Sequence, residues 1–461
     1  MDEPFALMGI LPTRRGLGAR SLAVMLGLLG VVVLFGCGGS GAAPMLPEKP
    51  TVTPKAATTI PASTATQQPT STSPTATPAE SEEVAPTLTA TLESTKEVET
   101  MPETNRVLVF VGTYTREESE GIYVYEFDPE TGALSQLATA SDVENPSFLA
   151  IHPNRRVLYA VNEVGNWEGE TTGAVSAFAL DPETGALTLL NQQITHGTAP
   201  CHVTVDREGT FAYVANYGSG TAAVFPIQQD GSLEPASDTV EFEGSGPNPQ
   251  RQKAPHAHSV TLDSNNRFAF IADLGTDRLM SYRIDEIPGQ LLPNPVPFYK
   301  GEGGSGPRHF TFHPNGRYAY LINEMGNTIT ALAYDPVSGT LAQLQTVPTL
   351  PEGFDGSNTT ADIHVTPSGR FLYGSNRGHD SLVVYAIDEA DGTLRYVEHV
   401  STRGETPRNF GIDPTGTLLL VANQNSDNVV AFQIDGETGE LTPTGEETEV
   451  SMPVCVKFLA P

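Results

Sequence analysis

From residue 106 onwards, short runs of alternating apolar and polar residues are separated by turns rich in Gly, Asn, Asp and Pro. A period of two residues predicts β-strands, because successive side chains of a strand point to opposite faces. Six similar segments begin at Asn145, Ala199, Pro255, Gly306, Thr360 and Thr406. A repeat of about 50 residues with four strands in each copy is typical of a β-propeller.

The copy that begins at Gly306 shows the repeating unit most clearly. Its pattern predicts strands over residues 309–313, 318–323, 328–334 and 341–347. The intervening PNG and DPVSG sequences predict turns, because Gly and Asn tolerate positive φ. The repeats contain no amphipathic helix of useful length. We therefore predict an all-β domain made of four-stranded antiparallel blades.

Two further segments complete the count of blades. Residues 106–134 supply three strands and a DPETG turn. Residues 452–461 match the first strand of a repeat but are not followed by the other three strands. Together they make one more blade, which gives a seven-bladed β-propeller over residues 106–461. Pairing the N- and C-terminal strands closes the ring and removes exposed sheet edges.

The first 105 residues do not follow the propeller pattern. Arg14, Arg15 and Arg20 precede an apolar run over residues 21–35. A basic stretch followed by roughly 7–15 apolar residues and small residues indicates a secretory signal. The run ends in LFGC, which resembles a bacterial lipobox and predicts a lipoprotein-type signal peptide over residues 1–36, with Cys37 acylated. Phe35 departs from the residue usual at its position, so an uncleaved N-terminal anchor is the alternative.

Residues 37–105 are rich in Thr, Pro, Ser and Ala and contain almost no aromatic residues. Such a segment cannot bury enough apolar surface to offset its ordering entropy. We predict a disordered stalk. The propeller is then expected outside the cytoplasmic membrane, with the membrane itself as a partner through the lipid anchor.

Charge and cysteine content exclude several classes of partner. The net charge of −30 argues against nucleic acid and anionic lipid as partners of the propeller surface. Of three cysteines, Cys201 and Cys455 fall in blades that are not neighbours. We therefore expect two free buried thiols, no disulfide framework and no zinc site. The domain is expected to be a monomer.

Chain direction predicts which face of the ring carries chemistry. The loop entering the first strand of a blade and the loop after its second strand lie on the same face. An Asn or Asp recurs after the second strand of each repeat, and this recurrence indicates a scaffold role. These residues are Asn162, Asn216, Asp273, Asn323, Asn376 and Asn423. Positions that vary between repeats converge on one mouth of the channel; they include His258, Arg308, His309, Glu324, Arg377 and Arg408. Arginines with Glu and His suit acid–base chemistry on an anionic substrate.

Three stretches carry a family resemblance: GPRHFTFHPNGRYAYLINE, ADIHVTPSGRFLYGSNRGHDS and PRNFGIDPTGTLLLVANQNSDNV. With the AHS sequence around His258, they resemble the seven-bladed propeller lactonase family. That family includes the propeller type of bacterial 6-phosphogluconolactonase and fungal carboxy-cis,cis-muconate cyclase. The resemblance implies catalytic roles for His258, Arg308, Glu324 and Arg377, without a metal or cofactor. We add His309, Arg408 and Asn409, which enter first strands at the same mouth, as expected substrate-binding residues.

The expected function is hydrolysis of a small anionic sugar lactone such as 6-phosphogluconolactone. Arg308 and Arg377 would bind the substrate and polarise its carbonyl, and Glu324 or His258 would activate water. The alternatives are a lactonising cyclase and a surface-anchored binding module that lacks catalysis. A phosphogluconolactonase of the pentose phosphate pathway works in the cytoplasm, whereas this chain carries a predicted export signal. The long loop over residues 162–173 would favour a binding module if it plugged the channel.

Overall fold

The computed structural model describes residues 106–116, 118–284 and 286–460. The signal peptide over residues 1–36, the acylated Cys37 and the stalk over residues 37–105 lie outside the described residues and stay predictions. In the described part of the chain, every regular element is a β-strand, and the strands form seven four-stranded antiparallel sheets. No helix among these residues is long and apolar enough to cross a membrane.

Each sheet is one blade, and blades are numbered in chain order. Blade 1 contains β28 Pro453–Leu459, β1 Val107–Thr113, β2 Ile122–Phe127 and β3 Leu134–Ala140. Blade 2 contains β4 Leu149–Ile151, β5 Val157–Asn162, β6 Ala174–Leu180 and β7 Leu187–Ile194. Blade 3 contains β8 Pro200–Val205, β9 Phe211–Asn216, β10 Thr221–Pro226 and β11 Asp238–Glu241. Blade 4 contains β12 Ala257–Leu262, β13 Phe268–Asp273, β14 Arg278–Arg283 and β15 Leu292–Lys300.

The remaining three blades follow the same order. Blade 5 contains β16 Pro307–Phe312, β17 Tyr318–Asn323, β18 Thr328–Asp335 and β19 Thr340–Pro348. Blade 6 contains β20 Thr359–Val365, β21 Phe371–Arg377, β22 Ser381–Ile387 and β23 Leu394–Ser401. Blade 7 contains β24 Pro407–Ile412, β25 Leu418–Asn423, β26 Asn428–Ile434 and β27 Leu441–Glu449. The strands predicted for blade 5 agree with these bounds to within two residues.

The ring closes through its own ends, as predicted. Strand β28 pairs antiparallel with β1, so that Leu459 lies opposite Leu108 and Lys457 lies opposite Phe110. The first strand of each blade contacts the first strands of both neighbouring blades, which places these seven strands around the central channel.

Apolar layers between adjacent blades hold the ring together. The second and third strands are almost continuously buried, because both of their faces pack against a neighbouring blade. Tyr159, Tyr320 and Tyr373 occupy equivalent places in three second strands, and their hydroxyls donate hydrogen bonds of 2.9, 3.1 and 2.8 Å to a glycine carbonyl of the next blade. These contacts between consecutive blades make a rigid support for the loops at the channel mouth.

Candidate active site

A cavity of about 280 Å³ opens at the mouth of the channel on the predicted face. Its walls come from loops that enter first strands and loops that follow second strands. The lining residues are Glu163, Cys201, Tyr217, Arg251, His258, Glu324, Thr359, Arg377 and Arg408. Four residues selected from the sequence, His258, Glu324, Arg377 and Arg408, are therefore brought together on one surface.

Glu324 is the centre of an ion-pair cluster in this cavity. Its Oε2 lies 3.0 Å from both Arg308 Nε and Arg377 Nη2, and its Oε1 lies 2.6 Å from Arg251 Nη2. Burial alone would raise the pKa of Glu324, but the guanidinium groups of Arg377, Arg308 and Arg251 lower it to about 2. Glu324 is thus a carboxylate at neutral pH and a weak base. Its contacts fix the positions of the arginines around it.

Arg308 lies behind Glu324 rather than on the wall of the mouth cavity. Only 2% of the residue is exposed, and its Nη1 donates a 2.6 Å hydrogen bond to the carbonyl of Ala361. It lines a much smaller cavity deeper in the channel, with a volume of about 10 Å³. In this position Arg308 acts on the mouth cavity through Glu324 and through its positive charge.

His258 sits between the arginine cluster and a thiol. Its Nε2 lies 3.9 Å from Glu324 Oε2, and its Nδ1 lies 3.7 Å from Cys201 Sγ. Burial, followed by the positive charge of Arg308, lowers the pKa of His258 well below 6.5. The imidazole is therefore neutral at pH 7, so it is available as a proton acceptor and not as a proton donor.

His309 and Asn409 lie deeper and meet at a buried carboxylate. His309 Nδ1 is 2.7 Å from Asp362 Oδ1, and Asn409 donates through Nδ2 to Asp362 Oδ2. His364 Nε2 lies 2.8 Å from Asp362 Oδ2. The structure does not bring His309 or Asn409 to the wall of the mouth cavity, and their role in substrate binding stays a prediction.

A second cluster lines the opposite side of the mouth. Arg408 Nη2 donates a 2.8 Å hydrogen bond to the hydroxyl of Tyr114, which in turn donates to both carboxylate oxygens of Glu163 at 3.0 Å. In the described part of the chain, no carboxylate lies within ion-pair distance of Arg408. Its guanidinium therefore has capacity to bind an anionic ligand.

The other five residues that line the cavity were not selected from the sequence as site residues; among them are Glu163, Tyr217 and Arg251. Glu163 and Tyr217 follow the second strands of blades 2 and 3, at the repeat position that Glu324 and Arg377 occupy in blades 5 and 6. Because the residue type at this position varies between repeats, the same comparison could have identified them as site residues. Arg251 belongs to a segment between β11 and β12 that has no counterpart in the other copies. Comparison of repeats therefore could not have found Arg251.

Two other expectations concern the surroundings of the site. Trp167, in the loop over residues 162–173, lines a separate groove with Asp142 and Gln192, and the mouth cavity remains open. Asn216, Asn376 and Asn423 are buried and donate hydrogen bonds of 3.0, 2.7 and 3.1 Å to backbone carbonyls of Thr residues that end or follow the fourth strand of the preceding blade. These bonds agree with the predicted scaffold role.

The described cysteines and possible metal ligands also bear on the chemistry. Cys201 and Cys455 are free and buried, as predicted from the sequence. Within residues 106–116, 118–284 and 286–460, no three His, Cys, Asp or Glu side chains are grouped so that they could hold a metal ion.

Comparison with known proteins assigns the family. A family model described as the seven-bladed β-propeller lactonases matches residues 108–458. The chain belongs to this family. Among the relatives of this lactonase-family chain is a 6-phosphogluconolactonase of Bacillus subtilis strain 168, 40% identical over 350 residues that cover 76% of this chain and 97% of the relative. A 6-phosphogluconolactonase of Formosa agariphila is 37% identical over 66% of this chain and 86% of its own length.

A solved structure adds a second kind of relative to this lactonase-family chain. The periplasmic gluconolactonase of Pseudomonas aeruginosa superposes with a TM-score of 0.73 at 38% identity, covering 77% of this chain and 99% of that protein. The family and the enzyme class predicted from the sequence, a lactonase, are confirmed by these relatives.

The buried histidines of the site predict a loss of stability in acid. The pKa of His309 is lowered to about 4 by burial and by the charge of Arg308, and that of His258 is also lowered. In the unfolded chain both rings titrate near pH 6.5, so below that pH the unfolded state binds more protons and unfolding becomes easier. We expect His309 to remove on the order of 2 kcal/mol of stability at pH 5 relative to pH 7.5, and His258 to lower stability in the same direction.

The measurement is the melting temperature at pH 7.5 and pH 5.0 for the wild type, His258→Gln and His196→Gln. The exposed His196 serves as the matched control. His258→Gln is expected to show a smaller fall in melting temperature than the wild type, and His196→Gln the same fall. Equal falls in all three proteins would contradict the pKa shift of His258.

Proposed function

We propose that this chain is an exported lactonase that hydrolyses a sugar lactone such as 6-phosphogluconolactone or gluconolactone. The observation that carries this proposal is a cluster of arginines in a chain whose net charge is −30: Arg251, Arg377 and Arg408 line the mouth cavity, and Arg308 lies behind Glu324. Guanidinium groups bind carboxylate and phosphate and stabilise a developing oxyanion. The cavity volume of about 280 Å³ is just below the range of about 300–1,000 Å³ for small-molecule sites, which suits a single sugar ring.

The arrangement suits hydrolysis of a cyclic ester. Attack of water on the lactone carbonyl carbon gives a tetrahedral oxyanion, and cleavage of the bond between that carbon and the ring oxygen gives the open hydroxy acid. Arg377 and Arg408 line the cavity and supply positive charge for the oxyanion. Glu324 holds Arg377 and Arg251 in place before the substrate binds, so that little reorganisation is needed in the transition state.

The predicted export signal favours a substrate outside the cytoplasm, and one relative is named a periplasmic gluconolactonase. Two relatives named 6-phosphogluconolactonase support the class of substrate but do not bear on its location. Anchoring through a lipid on Cys37 and an extracytoplasmic location are part of this proposal. Replacement of Cys37 by Ser is expected to release the protein from the membrane fraction or to leave it as the unprocessed precursor.

The test of the function is hydrolysis of a panel of lactones by the purified protein. Acid release from 6-phosphogluconolactone, gluconolactone and carboxymuconolactone would be followed in a pH-stat and corrected for spontaneous hydrolysis. We expect saturable acceleration with at least one sugar lactone. Formation of a lactone from carboxy-cis,cis-muconate would instead support a cyclase, and binding without any turnover would support a binding module.

A further inference from the structure

We propose that Glu163 is the general base that activates water for lactone hydrolysis. This role rests on the hydrolysis of a sugar lactone proposed above. It is one of two carboxylates that line the mouth cavity, and the other is Glu324. The two glutamates lie in different surroundings, and this difference separates their roles.

The repeat places the two carboxylates on opposite sides of the channel. Glu163 follows β5 in blade 2, and Glu324 follows β17 in blade 5, at the equivalent position of the repeat. Blades 2 and 5 are three steps apart in a ring of seven, so the two side chains face each other across the mouth. A substrate bound by the arginines around Glu324 would therefore present its outer face towards Glu163.

Glu163 is held by hydroxyl groups rather than by arginines. The hydroxyl of Tyr114 is shared between its two oxygens at 3.0 Å, and Ser147 Oγ donates to Oε2. Among the described side chains, Oε1 accepts only the shared bond from Tyr114 and keeps a lone pair for water. Arg408 reaches the carboxylate only through Tyr114, so no guanidinium competes directly with a proton on Glu163.

The other two candidates for the base are less suited. Protonation of Glu324 would break its direct ion pairs with Arg251, Arg308 and Arg377. Protonation of His258 would place a new positive charge in a buried position beside Arg308. A proton on Glu163 would break no direct ion pair: it would weaken hydrogen bonds from neutral hydroxyls and the longer-range attraction to Arg408, and one of the two oxygens could still accept from Tyr114 and Ser147.

In the proposed step, one oxygen of Glu163 takes a proton from water as the water oxygen bonds to the lactone carbonyl carbon. The bond between that carbon and the ring oxygen then breaks, and the proton on Glu163 passes to the departing ring oxygen. Water and lactone become the open hydroxy acid, whose carboxyl group ionises in solvent. Glu163 is a carboxylate again, so no additional reactant is required.

The main test is Glu163→Gln, which keeps the shape of the side chain and an acceptor for Tyr114. We expect kcat for the preferred lactone to fall by about 10²- to 10⁴-fold, the range for loss of a general base, with KM and the melting temperature unchanged. The matched control is Glu170→Gln, an exposed glutamate of the same loop, which should leave both constants unchanged.

A second variant separates proton transfer from substrate binding. Glu163→Ala should regain activity when formate or acetate is added, because a free carboxylate can occupy the space and accept the proton. A raised KM with kcat unchanged in Glu163→Gln would mean that Glu163 binds a substrate hydroxyl, and would overturn the assignment. Absence of turnover in the wild type would refute the lactonase function itself, whereas normal turnover in Glu163→Gln would refute only the role of Glu163.

Discussion

Replacement of Arg377 by alanine is expected to lower kcat/KM for lactone hydrolysis by about 10²- to 10³-fold, the effect of removing one group that stabilises an oxyanion. Arg377 lines the mouth cavity, and its Nη2 lies 3.0 Å from Glu324 Oε2. The substitution removes a positive charge from the site and loosens Glu324, whereas Arg251 and Arg308 still neutralise that carboxylate. The melting temperature is therefore expected to change little.

The matched control is Arg370→Ala in the same blade. Arg370 is exposed in the turn between β20 and β21, on the opposite face of the ring, and it contacts backbone carbonyls of Gly436 and Glu437. Its replacement should leave kcat/KM unchanged. Near-normal activity in Arg377→Ala, or an equal loss in both variants, would show that the functional face is misassigned. Arg308→Ala is a poorer test, because Arg308 is fully buried and its loss would also reduce stability.

Removal of residues 452–461 is expected to abolish cooperative folding. These residues include β28, the first strand of blade 1, which pairs with β1 and contacts β24 and β4. Val454, Val456 and Leu459 are buried, and each buried aliphatic side chain contributes about 1.5–3 kcal/mol. The truncated chain would also expose the edge of β1, which promotes aggregation.

The control for this truncation is the fragment of residues 106–461, which keeps both partners of the closing pair. We expect it to melt at the temperature of the full chain, as followed by circular dichroism. A soluble chain without residues 452–461 that still melts in one sharp transition would contradict closure of the ring through β28.

The sequence was sufficient for the fold because each blade repeats the same pattern. The period of two residues predicts strands, and the turn sequences give their limits, so the strands of blade 5 were placed to within two residues. The incomplete segments at residues 106–134 and 452–461 were complementary, which predicted the pairing of β28 with β1. The strand limits depend on the local residue pattern, and closure of the ring depends on the number of strands in each segment. Both can be read from a single sequence.

The candidate site was only partly predictable. Equivalent positions of a repeat lie on the same face, so variation among them identified His258, Glu324, Arg377 and Arg408 as neighbours. Comparison of repeats could not predict how deep in the channel each side chain lies. Arg308 occupies the same slot as Arg408, but its partners in blades 5 and 6 hold it behind Glu324, away from the cavity wall.

The roles of the two cavity glutamates also required three-dimensional contacts. Glu163 and Glu324 occupy the same slot and look equivalent in sequence. Their difference comes from Tyr114 and Ser147 on one side and from the arginines on the other. The hydroxyl of Tyr114 comes from the segment after β1 in blade 1, and it reaches Glu163 because blades 1 and 2 are neighbours in the ring.

The most direct test of a lactonase site at this mouth is the position of a bound gluconolactam, in which a ring N–H replaces the ester oxygen and prevents hydrolysis. In a crystal structure of the complex, we predict that the analogue occupies the cavity between Glu163 and Glu324. Its carbonyl oxygen should lie within hydrogen-bond distance, about 3 Å, of Arg377 or Arg408. An analogue bound elsewhere on the ring, or one whose carbonyl points away from both arginines, would contradict the proposed site.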